Sequence, residues 1–236
     1  MLRLKTTLLL VGFAGALFGQ TQHYTHTTFW YRGLVAVPLS KNWDFYGEYI
    51  HRQQNEIGSS NPFTHESFEE VRLWLHLKKG NWTVQFNPIS YIHSVPFLGK
   101  LADYTANPNQ EWRAAASLEL KQNVAKWTFK ERAQYEFRFP KSLDYALTTR
   151  FRLKGLAQIA ISDKTKLTLS DELWLNMPPN QAANHFDQNW IYVGMSQQVC
   201  KVLSLELGYR RNLKERSSTT EFDDENGIDL TTAFRF

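Results

Sequence analysis

Little in this 236-residue chain is available for covalent or metal cross-linking. Cys200 is its single cysteine, so no disulfide can form within the chain and thiol usage leaves the compartment unread. Blocks of like charge are absent. The 27 Lys and Arg and 23 Asp and Glu are interleaved, and a net charge of +4 spread this way supports no nucleic-acid patch. Helical periodicity is missing, and no apolar run approaches the roughly 20 residues that a membrane-spanning helix needs. Metal and cofactor motifs are also wanting. "FDDENGID", Asp223 to Asp229, lacks the ligand spacing of an EF-hand loop and reads as a solvated acidic loop. His23 and His26 read as part of a flexible tail, able to meet a metal only adventitiously. In "SYIHS", Ser90 and His93 point to opposite faces of a strand, out of the hydrogen-bond reach that a nucleophile and its base require.

Order is nevertheless expected, because 42% of the residues are hydrophobic and 14% aromatic. The N-terminus "MLRLKTTLLLVGFAGALFGQTQ" runs from Arg3 and Lys5 through a short apolar stretch to small residues. That is the order of a secretory signal peptide. Residues 1–19 are therefore expected to be a leader, with cleavage after Gly19, or alternatively after Ala16, and residues 20–236 to form the mature domain.

Beyond this point the chain alternates with the two-residue period of β-strands. Around "KWTFKERAQYEFRF", Trp127, Phe129, Ala133, Tyr135, Phe137 and Phe139 share one face, and Lys130, Arg132, Gln134, Glu136 and Arg138 the other. The same separation occurs at 43–52, 70–77, 82–87, 111–121 and 228–236. Short connections such as "LSKN", "KKGN" and "QVCK" mostly alternate with longer polar ones such as "NEIGSSNPFTHE" and "KERSSTTEFDDEN". Trp43, Trp82 and Trp127 each follow a short turn, which places them at one end, as an interfacial girdle. The final stretch "NGIDLTTAFRF" alternates up to Phe234 and Phe236 and is similar to an insertion signal read by outer-membrane assembly machinery.

These features predict an all-β fold, a transmembrane antiparallel meander barrel of about ten to twelve strands in the bacterial outer membrane. A secreted β-sandwich or lipocalin-like barrel is the alternative fold. The count of strands comes out odd, whereas bacterial single-chain barrels carry an even number. Residues 20–26 could supply a short extra ascending strand, or the long stretch 145–162 could be two strands. Pro88 falls inside a predicted strand, where it cannot donate to a ladder.

In layout the chain resembles the bacterial family called domain of unknown function 2490. The resemblance rests on "FWYRGLVAVPLSKNWDFYGEY" soon after the leader, the Arg-containing strands "KERAQYEFRF" and "YALTTRFRLKGLA", and the aromatic end. It spans nearly all of the mature chain. It implies an outer-membrane barrel, no known activity, and no catalytic residues.

The inward face is expected to carry Glu70, Arg72, Glu111, Arg113, Glu119, Arg132, Glu136, Arg138, Arg150, Arg152, Glu172 and Arg210, with both signs in similar numbers. Such residues can pair across strands and close the interior. Alternatively they line a path for a small polar solute or ion. Arg150 and Arg152 could also hold an anionic headgroup or phosphate bidentately. The expected partners are outer-membrane lipid and the assembly machinery. The role is structural or transport-associated, and the alternative is a lipid- or envelope-modifying enzyme with a rim site.

Overall fold

The computed structural model describes residues 21–179 and 184–236, so the expected leader, residues 1–19, lies outside the described residues. Eleven strands follow in order: β1 Gln22–Pro38, β2 Trp43–Gln54, β3 His65–Lys79, β4 Trp82–Ser94, β5 Asn109–Val124, β6 Trp127–Pro140, β7 Thr148–Ala160, β8 Thr165–Met177, β9 Phe186–Gln198, β10 Leu203–Glu215 and β11 Glu221–Arg235. Each pairs with its sequence neighbours, and β1 meets β11 to close the barrel.

Its solvent preference is inverted relative to a water-soluble domain. Among the described residues, eleven apolar side chains are buried against thirty polar or charged ones. Strand β8 shows the pattern: Leu167 and Leu169 point outward, while Thr168, Ser170 and Glu172 are buried. Apolar-out, polar-in alternation is what a barrel in lipid requires. With no water in the hydrocarbon to satisfy an open edge, every backbone group must find a partner in the sheet.

The odd strand count resolves through that demand. Residues 22–26 do not form a separate strand; they extend β1, and 148–160 is a single strand. An alternating meander of eleven strands leaves β1 and β11 running in the same direction. They pair in parallel over fifteen register positions, from Gln22 opposite Glu221 to Ala36 opposite Arg235. Parallel ladders are slightly less stable per residue than antiparallel ones. Here side chains reinforce the seam. Tyr24 donates to Glu221 at 2.9 Å, His26 lies 2.8 Å from Asp223, and the Thr28 hydroxyl and Trp30 indole both donate to Glu225. Two expectations are corrected by this. His23 and His26 belong to a strand rather than a tail, and "FDDENGID" is strand β11 rather than a loop. Asp223 and Glu225 alternate onto the inward face, where β1 supplies donors that a sequence-local reading cannot see.

Pro88 sits in β4 at a bulge. The register shifts between Asn87 and Ser90 against β5, and between Leu73 and Leu75 against β3. The Asn87 side chain donates to the Leu73 and Ile89 carbonyls and accepts from the Ser90 hydroxyl, replacing ladder bonds the proline cannot make. The extra residue also switches the facing. Val84 and Phe86 point outward before it, Ile89 and Tyr91 after it. A different local device joins β9 to β10. Gly194 and Gly208 are cross-strand partners, and the Tyr192 ring lies over both. A Cβ at Gly208 would fall 2.4 Å from the Tyr192 hydroxyl oxygen, which itself donates to Glu206.

Parallel closure is testable. In a Cys200→Ser background, Phe29→Cys with Ile228→Cys, which are register partners across the seam, should form a disulfide in the folded protein. Absence of that cross-link, with a cross-link at a pair displaced by several residues, would show another closure. Leu153, exposed midway along β7, should meet lipid. Leu153→Arg should cost roughly 2–4 kcal/mol in refolding into bilayers if it lies near the midplane. No loss would invert the assigned facing.

Candidate functional site

Within the strands lies a lumen cavity of about 940 Å³. It runs from Gly80 and Asn81 at the short-turn end to Pro96 and Phe97 beneath the opposite mouth. Its charge departs from expectation. Fifteen Lys and Arg side chains line it against seven Asp and Glu, an excess of eight positive charges. The signs are more nearly matched over the whole interior. The imbalance arises because short carboxylates lie against the wall, as at the buried Glu111, Glu136 and Glu225, while Arg and Lys extend long stems past them toward the open space.

Of the predicted lumen residues, Glu70, Arg72, Arg113, Glu119, Arg132, Arg138, Arg150, Arg152, Glu172 and Arg210 line the cavity. Glu111 and Glu136 lie behind it, bonded to those arginines. Arg138 makes a bidentate pair with Glu111 at 2.7 and 2.8 Å, and Arg113 binds the same carboxylate. A ladder crosses β6, β7, β8 and β9. Arg150 bridges Asp187 and Glu136, Arg152 bridges Glu136 and Glu172, and Arg132 and Lys154 share Glu172, at 2.8 and 3.6 Å. On the other wall, Arg72 binds Glu48 and lies 3.6 Å from Glu70, and Arg210 binds Asp229. Removing one member of such a buried pair leaves its partner uncompensated, at a cost of roughly 3–5 kcal/mol.

Sequence reading missed the aromatic half of this wall. Trp30, Trp174 and Trp190 all line the lumen; Trp174 and Trp190 centroids are 4.6 Å apart, and Trp30 and Trp190 5.6 Å. Guanidinium groups stack on them: Arg152 at 3.7 Å and Arg150 at 4.2 Å from Trp174, and Arg210 at 4.1 Å from Trp190. Their places on the polar face of each alternation were the signal available in sequence. The girdle candidates behave differently. Trp43, Trp82 and Trp127 are exposed on the first residues of β2, β4 and β6, at the short-turn end. Phe234 and Phe236 are exposed at the same end, and the Phe236 N–H donates to the Ala36 carbonyl.

The long-loop mouth is occupied. The β4–β5 connection, residues 95–108, folds inward and buries Phe97 and Leu98. Phe97 stacks on His26 at 4.6 Å and lies under the Arg52 guanidinium at 4.1 Å. Gln54 binds the Pro96 carbonyl and accepts from the Leu98 N–H. Arg216 ties the loop to the wall by bonding Asp103, Asp223 and the Phe97 carbonyl. Gly99 is required for this approach, since a Cβ there would fall 2.5 Å from the Tyr24 ring and 2.7 Å from Arg216. Lys100 meets Glu221 at 2.8 Å, and that bond holds its ammonium above the ordinary lysine range. The contribution of a raised lysine pKa is complete at neutral pH and lost only as pH rises through the alkaline range, so this latch persists under physiological conditions.

The family described as protein of unknown function DUF2490 matches residues 27–223, and the chain belongs to it. No curated protein matches the sequence. The solved structure titled "NanC porin structure in rhombohedral crystal form" is similar at TM-score 0.52 and 12% identity, over 89% of this chain and 99% of that one. The siderophore receptor PirA from Pseudomonas aeruginosa aligns at TM-score 0.30 and 13% identity, over 75% of this chain and 33% of that one, too slight a likeness to carry an argument. The first comparison establishes a porin-like barrel fold and nothing finer.

If the inward loop limits the mouth, Phe97→Ala combined with Arg216→Ala should raise single-channel conductance of the reconstituted protein at least severalfold. Unchanged conductance in a folded double variant would show that the restriction lies elsewhere.

Proposed function

We propose that this protein is an outer-membrane channel for small anionic solutes. The single observation that carries the reading is the excess of eight positive charges lining a cavity of about 940 Å³ inside a porin-like barrel. Low-dielectric walls focus the field of one-signed linings, raising the local concentration of the opposite ion. Polar groups supply hydrogen-bond partners for solute shedding water, among them Gln85, Gln134, Ser170 and Asn212. In this reading the outward Leu, Val and Phe side chains meet outer-membrane lipid. Trp43, Trp82 and Trp127 sit at one headgroup interface, and Phe234 and Phe236 are read by the assembly machinery during insertion.

The enzymatic alternative has less to build on. His26 is paired to Asp223 at the rim, but its other ring nitrogen has no hydrogen-bond partner. A covalent mechanism would need a hydroxyl or thiol there.

The test is the reversal potential of reconstituted protein in a potassium chloride gradient. It should fall on the chloride side. Lys121 and Arg235 line the lumen without an ion-pair partner among the described residues. Lys121→Glu with Arg235→Glu should therefore reduce the anion preference without stranding a buried carboxylate. A cation preference in the unaltered protein would overturn the reading.

A further inference from the structure

The short-turn end carries a charge pattern of its own, outside the lumen. Five short turns join strands there, at 39–42, 80–81, 125–126, 161–164 and 199–202. A lysine stands in or directly beside each one: Lys41, Lys79, Lys126, Lys164 and Lys201. All five are exposed, and none forms an ion pair among the described residues. The turns contribute a single acid, Asp163. At the opposite end the signs are matched. The connections at 55–64, 95–108, 141–147 and 216–220 hold Lys100, Lys141 and Arg216 against Glu56, Asp103 and Asp144, and Lys100 and Arg216 are ion-paired.

The five turns are laced into one ring. The carbonyls of Asn42, Asn81, Lys126, Lys164 and Val202 accept from the N–H groups of Lys78, Lys121, Ala160, Gln198 and Arg235, each on the strand that follows the hairpin. The Phe236 bond to the Ala36 carbonyl completes the circle. Three of the turns are also built alike. Leu39 and Ser40 donate to the Trp43 carbonyl, Ile161 and Ser162 to that of Thr165, and Val199 and Cys200 to that of Leu203. In each, the lysine occupies the third or fourth position of the turn. The ammonium groups are thus displayed around the barrel from a fixed ring of backbone.

The neighbours of these lysines identify the partner. Leu39, Val124, Ile161 and Val199 lie in or next to four of the turns, and each is more than half exposed. A face built for an acidic soluble protein would hold these apolar groups in water whenever it was empty. At the boundary between acyl chains and headgroups they lose no such free energy. The exposed Trp43, Trp82 and Trp127 mark that boundary. Lys41, Lys79 and Lys126 precede them by two, three and one residues, so their stems reach from the indole level to the phosphates. A cluster of about four to eight basic residues just outside the hydrocarbon attracts anionic lipid.

We infer that the short-turn end is a lysine collar that binds anionic phospholipid headgroups of the leaflet it meets, the periplasmic one in barrels of this class. The collar rests on the membrane placement of the outward face and not on conduction through the lumen.

Tryptophan quenching tests it. In a Trp112→Phe background, Trp43, Trp82 and Trp127 are the exposed indoles. The protein is refolded into vesicles of phosphatidylcholine and phosphatidylglycerol, with one lipid or the other brominated on its acyl chains. At low salt, phosphatidylglycerol should be preferred about fivefold, the factor equivalent to roughly 1 kcal/mol for one lysine near an anionic surface. The preference should approach unity at about 1 M salt, where the screening length falls to about 3 Å. Lys41→Gln, Lys79→Gln, Lys126→Gln, Lys164→Gln and Lys201→Gln together should abolish it. None of the five holds a carboxylate, so folding should be retained, as heat-modifiable gel mobility would confirm. The same five positions changed to Arg should keep the preference, and Lys121→Gln, which removes an unpaired lumen lysine, should leave it unaltered. A preference that survives the five Gln changes, or that Lys121→Gln removes equally, would overturn the collar. Equal quenching by both lipids in the otherwise unaltered protein would overturn it and leave the membrane placement standing. Quenching by neither would overturn both. Binding of soluble polyglutamate by detergent-solubilised protein, without any lipid preference, would overturn the collar in favour of an acidic soluble partner.

Discussion

Closure governs this molecule. A sheet whose outer face meets hydrocarbon cannot leave an edge, because an unpaired backbone group there costs several kcal/mol. With eleven strands in an alternating meander, closure has only one geometry, the parallel pairing of β1 with β11. The consequences extend inward. The seam requires reinforcement, and β11 provides it with Glu221, Asp223 and Glu225, whose acceptors are met by Tyr24, His26, Thr28 and Trp30. Those residues in turn fix the long-loop mouth, since His26 stacks on Phe97 and Asp223 holds Arg216. The parallel seam and the occupied mouth are one structure.

The interior follows a second constraint, the unequal length of acidic and basic side chains. A carboxylate on an inward-facing strand position reaches only the wall. A guanidinium passes over it, pairs sideways, and still presents surface to the lumen. Interleaved charges of nearly equal number therefore become a layered lining, negative beneath and positive above. This layering turns a chain with a small net charge into a cavity with a strongly basic surface. The Trp30, Trp174 and Trp190 rings support the guanidinium layer by stacking, which keeps the arginine forks extended along the wall and limits their collapse into the open space.

Much of the architecture is legible in the sequence. Two-residue alternation identified the strands, and the lengths of the connections separated the two ends. The directions of Val71 and Arg72, or of Tyr135 and Glu136, follow from pleating alone. The ion-pairing types were legible as well, since acids and bases alternate onto one face. Bulges were less accessible. Pro88 announced a disturbance in β4, but not that the facing would switch from Phe86 to Ile89. In the loop containing Phe97, nothing local indicates that Arg52 and His26 wait beneath it.

The amino-acid sequence by itself determined that this chain forms strands, which face of each is apolar, and that the inward face carries both charges. Those properties depend on neighbours one or two residues away, where periodicity and side-chain chemistry act directly. Only the tertiary structure decided how the ends join and which sign the lumen shows. Those outcomes depend on groups almost two hundred residues apart, such as His26 with Asp223, or on different strands, such as Arg150 and Asp187. Their meeting is set by strand number and register, and no local pattern encodes either.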